Sequence, residues 1–231
     1  MMVFVYLYIF IVILMPEVEY PVICFHNLKF NKLLSMMELV KIAKTNLRNN
    51  LKKKLSQMTA SEIAEQSKII TNKILSHPVY TRSNRVSIYL SMDSEVQTNS
   101  IVENIFDSEK ICFIPKYNKS EMLMVKIKSI DELNSLPKTS WNISQPADDD
   151  VREDALTTGG LDLIIVPGLG FTMDGKRLGR GKGYYDQCIT EYKKKYPFNN
   201  LKTIGLAFSE QICDDIPMSQ QDSLIDFIVC P

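Results

Sequence analysis

The densest chemistry in the sequence lies in Gly175-Lys-Arg-Leu-Gly-Arg-Gly-Lys-Gly-Tyr-Tyr-Asp186. Lys176, Arg177, Arg180 and Lys182 crowd together in a chain whose 27 basic and 27 acidic residues cancel. With no net charge there is no global field for nucleic acid or an anionic membrane, so this cluster is a local anion site. Gly179, Gly181 and Gly183 permit positive φ and let backbone N–H groups approach an anion closely. The run follows an apolar stretch, residues 161–166, that reads as a buried strand, and precedes residues 184–196, which read as a helix. The unpaired N–H groups and positive dipole end of that helix would face the same anion, and phosphate is the anion such a site suits. A flexible basic surface loop is the competing reading. Two familiar nucleotide loops fail on spacing: Gly183 stands where a P-loop needs Ser or Thr after its lysine, and Tyr184 where the dinucleotide fingerprint needs its third glycine. Asp186 falls in the first helical turn. There it either complements the helix dipole, worth ~0.3–1 kcal/mol, or holds Mg²⁺ beside a polyphosphate; spacing leaves both open.

The elements around this loop alternate. Leu39, Leu47, Leu51 and Leu55 mark one helical face from Glu38 onward, with Lys41, Lys44, Arg48 and Lys52 on the others. Thr59-Ala-Ser-Glu62 has capping-box spacing and opens a second helix that His77-Pro78 ends. Strands are expected over 86–90, 111–114 (stopped by Pro115), 122–127, 161–166, 203–208 and 227–229, with a short helix over 100–106. Residues 137–146, around the single tryptophan Trp141, read as an ordered loop between prolines. Alternating helices and strands imply an α/β fold with a largely parallel sheet covered on both faces. In such folds ligands sit beyond the carboxyl ends of strands, where the basic loop falls.

At 231 residues, with 45% hydrophobic and 23% charged, the chain has the composition of one globular domain with its own core. Cys24, Cys112, Cys188, Cys213 and Cys230 include no C-x-x-C pair, and His26 and His77 are too scattered for a metal cluster. Reduced thiols and a cytoplasmic setting are expected. Residues 1–15 are apolar and uncharged, shorter than the roughly 20 residues a spanning helix needs, and lack a basic start. Residues 1–36 are therefore read as an extension outside the fold, and residues 37–231 as the single domain. A membrane anchor is the alternative for the extension.

The basic loop, Arg177 to Asp186, stands in order with Lys44-Thr-Asn-Leu-Arg48, Tyr89-Leu-Ser-Met92 with Glu95, Cys112-Phe-Ile-Pro115, Leu136-Pro-Lys-Thr-Ser-Trp-Asn-Ile143 with Gln145-Pro146, Val166-Pro-Gly-Leu-Gly-Phe171 and Glu210-Gln-Ile-Cys213. Together these segments resemble the 5-formyltetrahydrofolate cyclo-ligase family, also called 5,10-methenyltetrahydrofolate synthetases. The resemblance implies a three-layer sandwich similar to the sugar-phosphate isomerase and CoA-transferase fold. It also implies ATP- and Mg²⁺-dependent closure of 5-formyltetrahydrofolate, with or without a polyglutamate tail, to the 5,10-methenyl form. Lys44, Thr45, Asn46, Leu47, Arg48 and the run Arg177, Leu178, Gly179, Arg180, Gly181, Lys182, Gly183, Tyr184, Tyr185 would hold ATP. Leu90, Glu95, Trp141 and Arg180, Gly181, Lys182, Gly183, Tyr184 would hold the folate. Arg180, Lys182 and Tyr184 would be catalytic, and Asp186 and Asp222 would bind Mg²⁺. A monomer without nucleic-acid or membrane partners is expected. Two other classes stay open: another phosphate-handling α/β enzyme, and a catalytically inactive folate-binding regulator.

Overall fold

The computed structural model describes residues 21–118, 121–140 and 142–231, with side chains from Met37 onward. The chain divides into two compact units, Met1–Ile42 and Ala43–Pro231. Helix α1, Pro21–Leu55, begins well before the Glu38 start that the leucine spacing suggests. Of the first unit's described side chains, Met37, Leu39 and Ile42 are exposed, so the apolar face that packs begins later, with Leu47, Leu51 and Leu55.

In the second unit, α2 (Ala60–Leu75) starts at the expected box: Thr59 accepts from the Glu62 N–H, and Glu62 reaches back to the Thr59 N–H at 2.7 Å. Pro78 does not merely end that helix; with φ preset, it opens a short helix α3, Pro78–Arg82, capped by the His77 ring. There follow β1 (Arg85–Ile88), α4 (Asn99–Asp107), β2 (Ile111–Tyr117), β3 (Met122–Ile127) and α5 (Ile130–Ser135). β4 (Leu163–Val166), a small hairpin of β5 (Gly170–Phe171) and β6 (Arg177–Leu178), α6 (Tyr184–Lys195), β7 (Lys202–Leu206) and β8 (Phe227–Val229) complete it.

Six strands form one sheet in the order β3-β2-β1-β4-β7-β8, all neighbours parallel except the edge strand β3. Every side chain of β4 is buried, and they alternate between two cores. Leu163 and Ile165 join Leu51, Ile70 and Ile101 from α1, α2 and α4, whereas Ile164 and Val166 join Tyr185, Ile189 and Tyr192 of α6. Two apolar faces on one strand need helices on both sides, and that makes three layers. β2 runs through Pro115 to Tyr117 instead of stopping there. Its pairing with β1 ends at Phe113, so Pro115 lies where β3 alone flanks the strand and fewer ladder bonds are lost to the missing N–H.

Candidate active site

Strand order reverses between β1 and β4: the chain works outward through β2 and β3, then returns to β4 and proceeds the other way. Ligands collect at such a switch point, beyond the carboxyl ends of the two strands. Beyond β1 lies the 89–98 turn, and beyond β4 the glycine-rich stretch with its hairpin.

The turn after β1 is built to present Glu95. The Thr98 hydroxyl donates to the Tyr89 carbonyl at 2.9 Å, and the Met92 N–H donates to Glu95 Oε2 at 3.1 Å. Glu95 Oε1 then accepts from Arg180 Nη2 at 3.0 Å, so residues far apart in sequence face one another. Leu90 packs at the edge of the core beside this turn. A cavity next to it is lined by Ser91, Met92, Asp93, Ser94 and Asn142. Trp141 itself lies outside the described residues.

From the other side, α1 brings Arg48, whose Nε–H donates to the Gly179 carbonyl at 2.9 Å. One turn earlier, Lys44 is buried and ion-paired with Asp222. Burial opposes the charge on Asp222, but Lys44 and the Ser219 N–H and hydroxyl outweigh it and hold the carboxyl below the usual aspartate range. The next residue, Ser223, donates its N–H to Asp186 Oδ1 at 3.1 Å, which ties the segment carrying Asp222 to the start of α6. Asp186 Oδ2 accepts from Arg177 Nη2 at 2.7 Å. Lys44, Arg48, Glu95, Arg180, Asp186 and Asp222 are thus linked to one loop.

Within that loop the residues divide. Gly181 (φ 106°) and Gly183 (φ 74°) use backbone that other residues rarely adopt, and Gly183 caps α6 without a side-chain bond. The first N–H groups of α6 and the exposed Lys182 and Arg180 therefore form the open, cationic side. Lys176 is different from what its clustering suggests: it pairs with Asp215 at 2.5 Å and with Asp174 at 3.7 Å, away from the glycines. Leu178 and Tyr185 are buried in the two cores, so their backbones face the loop, whereas Leu47 is half-buried against one core. Thr45 and Asn46 are exposed on α1. Tyr184 is half-buried, its ring centroid 5.4 Å from that of Tyr117. Tyr117 was not legible in the sequence, because Pro115 suggested that the strand had already ended. Burial pushes its phenol up to about 12, leaving it a neutral aromatic wall beside the loop.

Magnesium takes oxygen donors and commonly uses one or two protein carboxylates beside phosphate oxygens and water. Asp186 and Asp222, partly buried and joined through Ser223, are a donor set of that kind. Among the described residues no group of three or more His, Cys, Asp or Glu could cage a metal alone. No described helix is long and apolar enough to cross a membrane.

The chain is similar to known proteins over most of its length. The model of the 5-formyltetrahydrofolate cyclo-ligase family matches residues 40–231. A mouse 5-formyltetrahydrofolate cyclo-ligase is 49% identical over 196 residues, which cover 82% of this chain and 94% of the relative. An Arabidopsis relative, "5-formyltetrahydrofolate cyclo-ligase, mitochondrial", is 32% identical over 80% of this chain and 73% of its own length. Among solved structures, the Aquifex aeolicus 5,10-methenyltetrahydrofolate synthetase superposes with a TM-score of 0.66 at 26% identity, covering 81% of this chain and 89% of that one.

Proposed function

This chain belongs to the 5-formyltetrahydrofolate cyclo-ligase family, and from that premise we propose that it closes 5-formyltetrahydrofolate to the 5,10-methenyl form with ATP and Mg²⁺. The observation that carries the reading is the meeting of Glu95 with Arg180 and of Arg48 with Gly179 across the sheet's switch point. That meeting supports the reading because a carboxylate suits a pteridine's N–H donors, and backbone N–H groups and cations suit a triphosphate.

The reaction must turn a formyl oxygen into a leaving group. The formyl oxygen attacks the γ-phosphoryl of ATP, releasing ADP and leaving an imino-phosphate on N5. N10 then attacks the former formyl carbon, the C–O bond breaks, and inorganic phosphate leaves with that oxygen as N10 gives up its proton. Arg180, Lys182 and the first N–H groups of α6 stabilise charge on the transferring phosphoryl, the dominant protein contribution in such chemistry. Lys44 and Arg48 hold the remaining phosphates. Leu90, Glu95, Tyr184 and Tyr117 orient the pteridine so that N10 lies close to the activated carbon, which supplies rate through proximity. Bound Mg²⁺, held through Asp186 and Asp222, would neutralise charge on the phosphate oxygens. We also propose a reducing, cytoplasmic setting, with which the four free thiols among the described residues, Cys112, Cys188, Cys213 and Cys230, are in keeping, and a monomeric enzyme.

Purified protein mixed with 5-formyltetrahydrofolate, ATP and Mg²⁺ should develop methenyl absorbance in step with ADP. Arg180→Ala or Lys182→Ala should lower turnover at least ~100-fold, the scale of losing one transition-state donor. Folded protein that binds both ligands without forming product would overturn the enzymatic reading.

A further inference from the structure

We propose that Arg177 is a positioning residue that ties Asp186 and the start of α6 to the end of β4, and that it does not itself contact phosphate. The inference rests on the reading above, in which Asp186 serves a magnesium-bound nucleotide.

The basic loop looks from its sequence like a ring of equivalent cations, yet Arg177 is unlike the others. Its side chain is only 4% exposed, against 45% for Arg180. Nη2 donates to Asp186 Oδ2 at 2.7 Å, and Nη1 donates to the Pro167 carbonyl at 3.2 Å. The guanidinium carbon lies 5.6 Å from the Tyr185 ring centroid. Nε is buried with no partner among the described residues, so it offers no surface to an incoming anion. The loop is laid directly over this group: a Cβ on Gly179 would stand 2.8 Å from Nη1. Two of its five N–H groups are committed to Asp186 and Pro167 and the others are shut under the loop, so a phosphate could reach this guanidinium only if the loop moved.

What the fork does reach is informative. Pro167 follows β4, and Asp186 sits in the first turn of α6, so one planar group spans the two ends of the glycine-rich stretch. The Ser223 N–H takes the other oxygen of Asp186, and the pair fixes that carboxylate in one orientation. Partners of this kind set the geometry of a metal-binding carboxylate, and losing one typically costs about 10–100-fold in metal affinity. Lysine cannot replace the fork, because one ammonium on a flexible stem does not span two acceptors in a plane.

The test uses a fluorescent ATP analogue titrated into the full chain with and without Mg²⁺, alongside turnover. In Arg177→Met and in Asp186→Asn, the Mg²⁺ needed for half-maximal tightening of nucleotide should rise about tenfold or more. In the double variant it should rise no further than in the worse single one, since the two side chains act as a unit. Magnesium-free affinity should change less than about twofold in Arg177→Met but fall clearly in Lys182→Ala, which removes an exposed cation. A fall in magnesium-free affinity for Arg177→Met as large as that for Lys182→Ala would overturn the proposal, and so would additive magnesium effects. Should Arg177→Met fail to fold, Arg177→Lys reads the same cycle. Wild-type turnover separates the two levels: without product the function proposed above fails, whereas product with an additive cycle removes the positioning role alone.

Discussion

Gly175→Ala tests whether the small β5–β6 hairpin holds the aspartate-bearing segment in place. Gly175 closes the hairpin turn, donating its N–H to the Thr172 carbonyl at 2.9 Å, and its own carbonyl accepts from the Ile225 N–H at 2.8 Å. Its φ is 93°, and an added Cβ would lie 2.3 Å from the Ile225 carbonyl oxygen. Two costs therefore add. Left-handed backbone in a residue with a Cβ costs roughly 1–2 kcal/mol. The contact is with backbone, which cannot rotate aside, so Ile225 must move and its hydrogen bond weakens by a further 0.5–1.5 kcal/mol or so. We expect a loss of about 2–3 kcal/mol, read as a lower urea midpoint with an unchanged m-value. Gly181→Ala is the control. At φ 106° it carries the same kind of backbone strain, but its nearest atom is Arg48 Cζ at 3.6 Å, an ordinary contact. It should lose only about 1–2 kcal/mol of stability, yet more turnover than Gly175→Ala, because Gly181 is in the anion loop. If Gly181→Ala is the less stable variant, or Gly175→Ala denatures with wild type, the clamp is not where the geometry puts it.

Burial pushes the Cys112 and Cys188 thiols up to about 12. Iodoacetamide at pH 8 should therefore modify Cys213 and Cys230 well before either of them, as peptide mass spectrometry would show; equal rates would contradict the burial. The same groups, with Tyr117, have folded-state values raised above those of the unfolded chain. Their stabilising contribution is complete below the unfolded thiol value of about 8.5 and is lost as pH rises toward about 12. Thermal midpoints should fall across that alkaline window, and a flat profile would count against it. A chain beginning at Met37 should fold and turn over within about twofold of the full chain, since local effects outside a domain's core are small. Loss of folding on removal of residues 1–36 would show instead that the extension belongs to the domain.

Much of this architecture was legible because period-2 and period-3.6 patterns survive wherever one element meets one core. The Thr59 capping box, the all-apolar run that became β4 and the helix after the glycines are of that kind. Where reading failed, a local rule was overridden by a neighbour. Pro115 ends strands in isolation, but β2 continues because β3 still pairs with it through Tyr117. The β5–β6 hairpin is invisible in sequence, since each of its strands is two residues long and no periodicity can develop. Phe171 fills the space that would otherwise betray it: Gly168 and Gly205 would each put a Cβ within 2.6 Å of its ring. Both glycines make room for that one aromatic.

The site shows a deeper reason why counting charges misleads. Lys44, Arg177, Arg180 and Lys176 all stand beside carboxylates: Asp222, Asp186, Glu95 and Asp215. Beyond Arg48 and Lys182, which stand in no ion pair among the described residues, a further cation is open to phosphate only where its pair is weak. Exposure ranks the pairs. The Arg177–Asp186 pair is shielded at both ends, where breaking it would strand a buried charge at a cost of several kcal/mol. Arg180 is nearly half exposed, so water and salt screen its bond to Glu95, and such pairs contribute only ~0–1 kcal/mol. On the reading proposed above, an entering triphosphate would take Arg180 from Glu95 at little cost, opening Glu95 Oε1 to a donor from the other substrate while Oε2 keeps the Met92 N–H. In that proposal Arg180 and Glu95 exchange partners while Arg177 and Asp186 stay joined, and the joined pair holds the loop in shape.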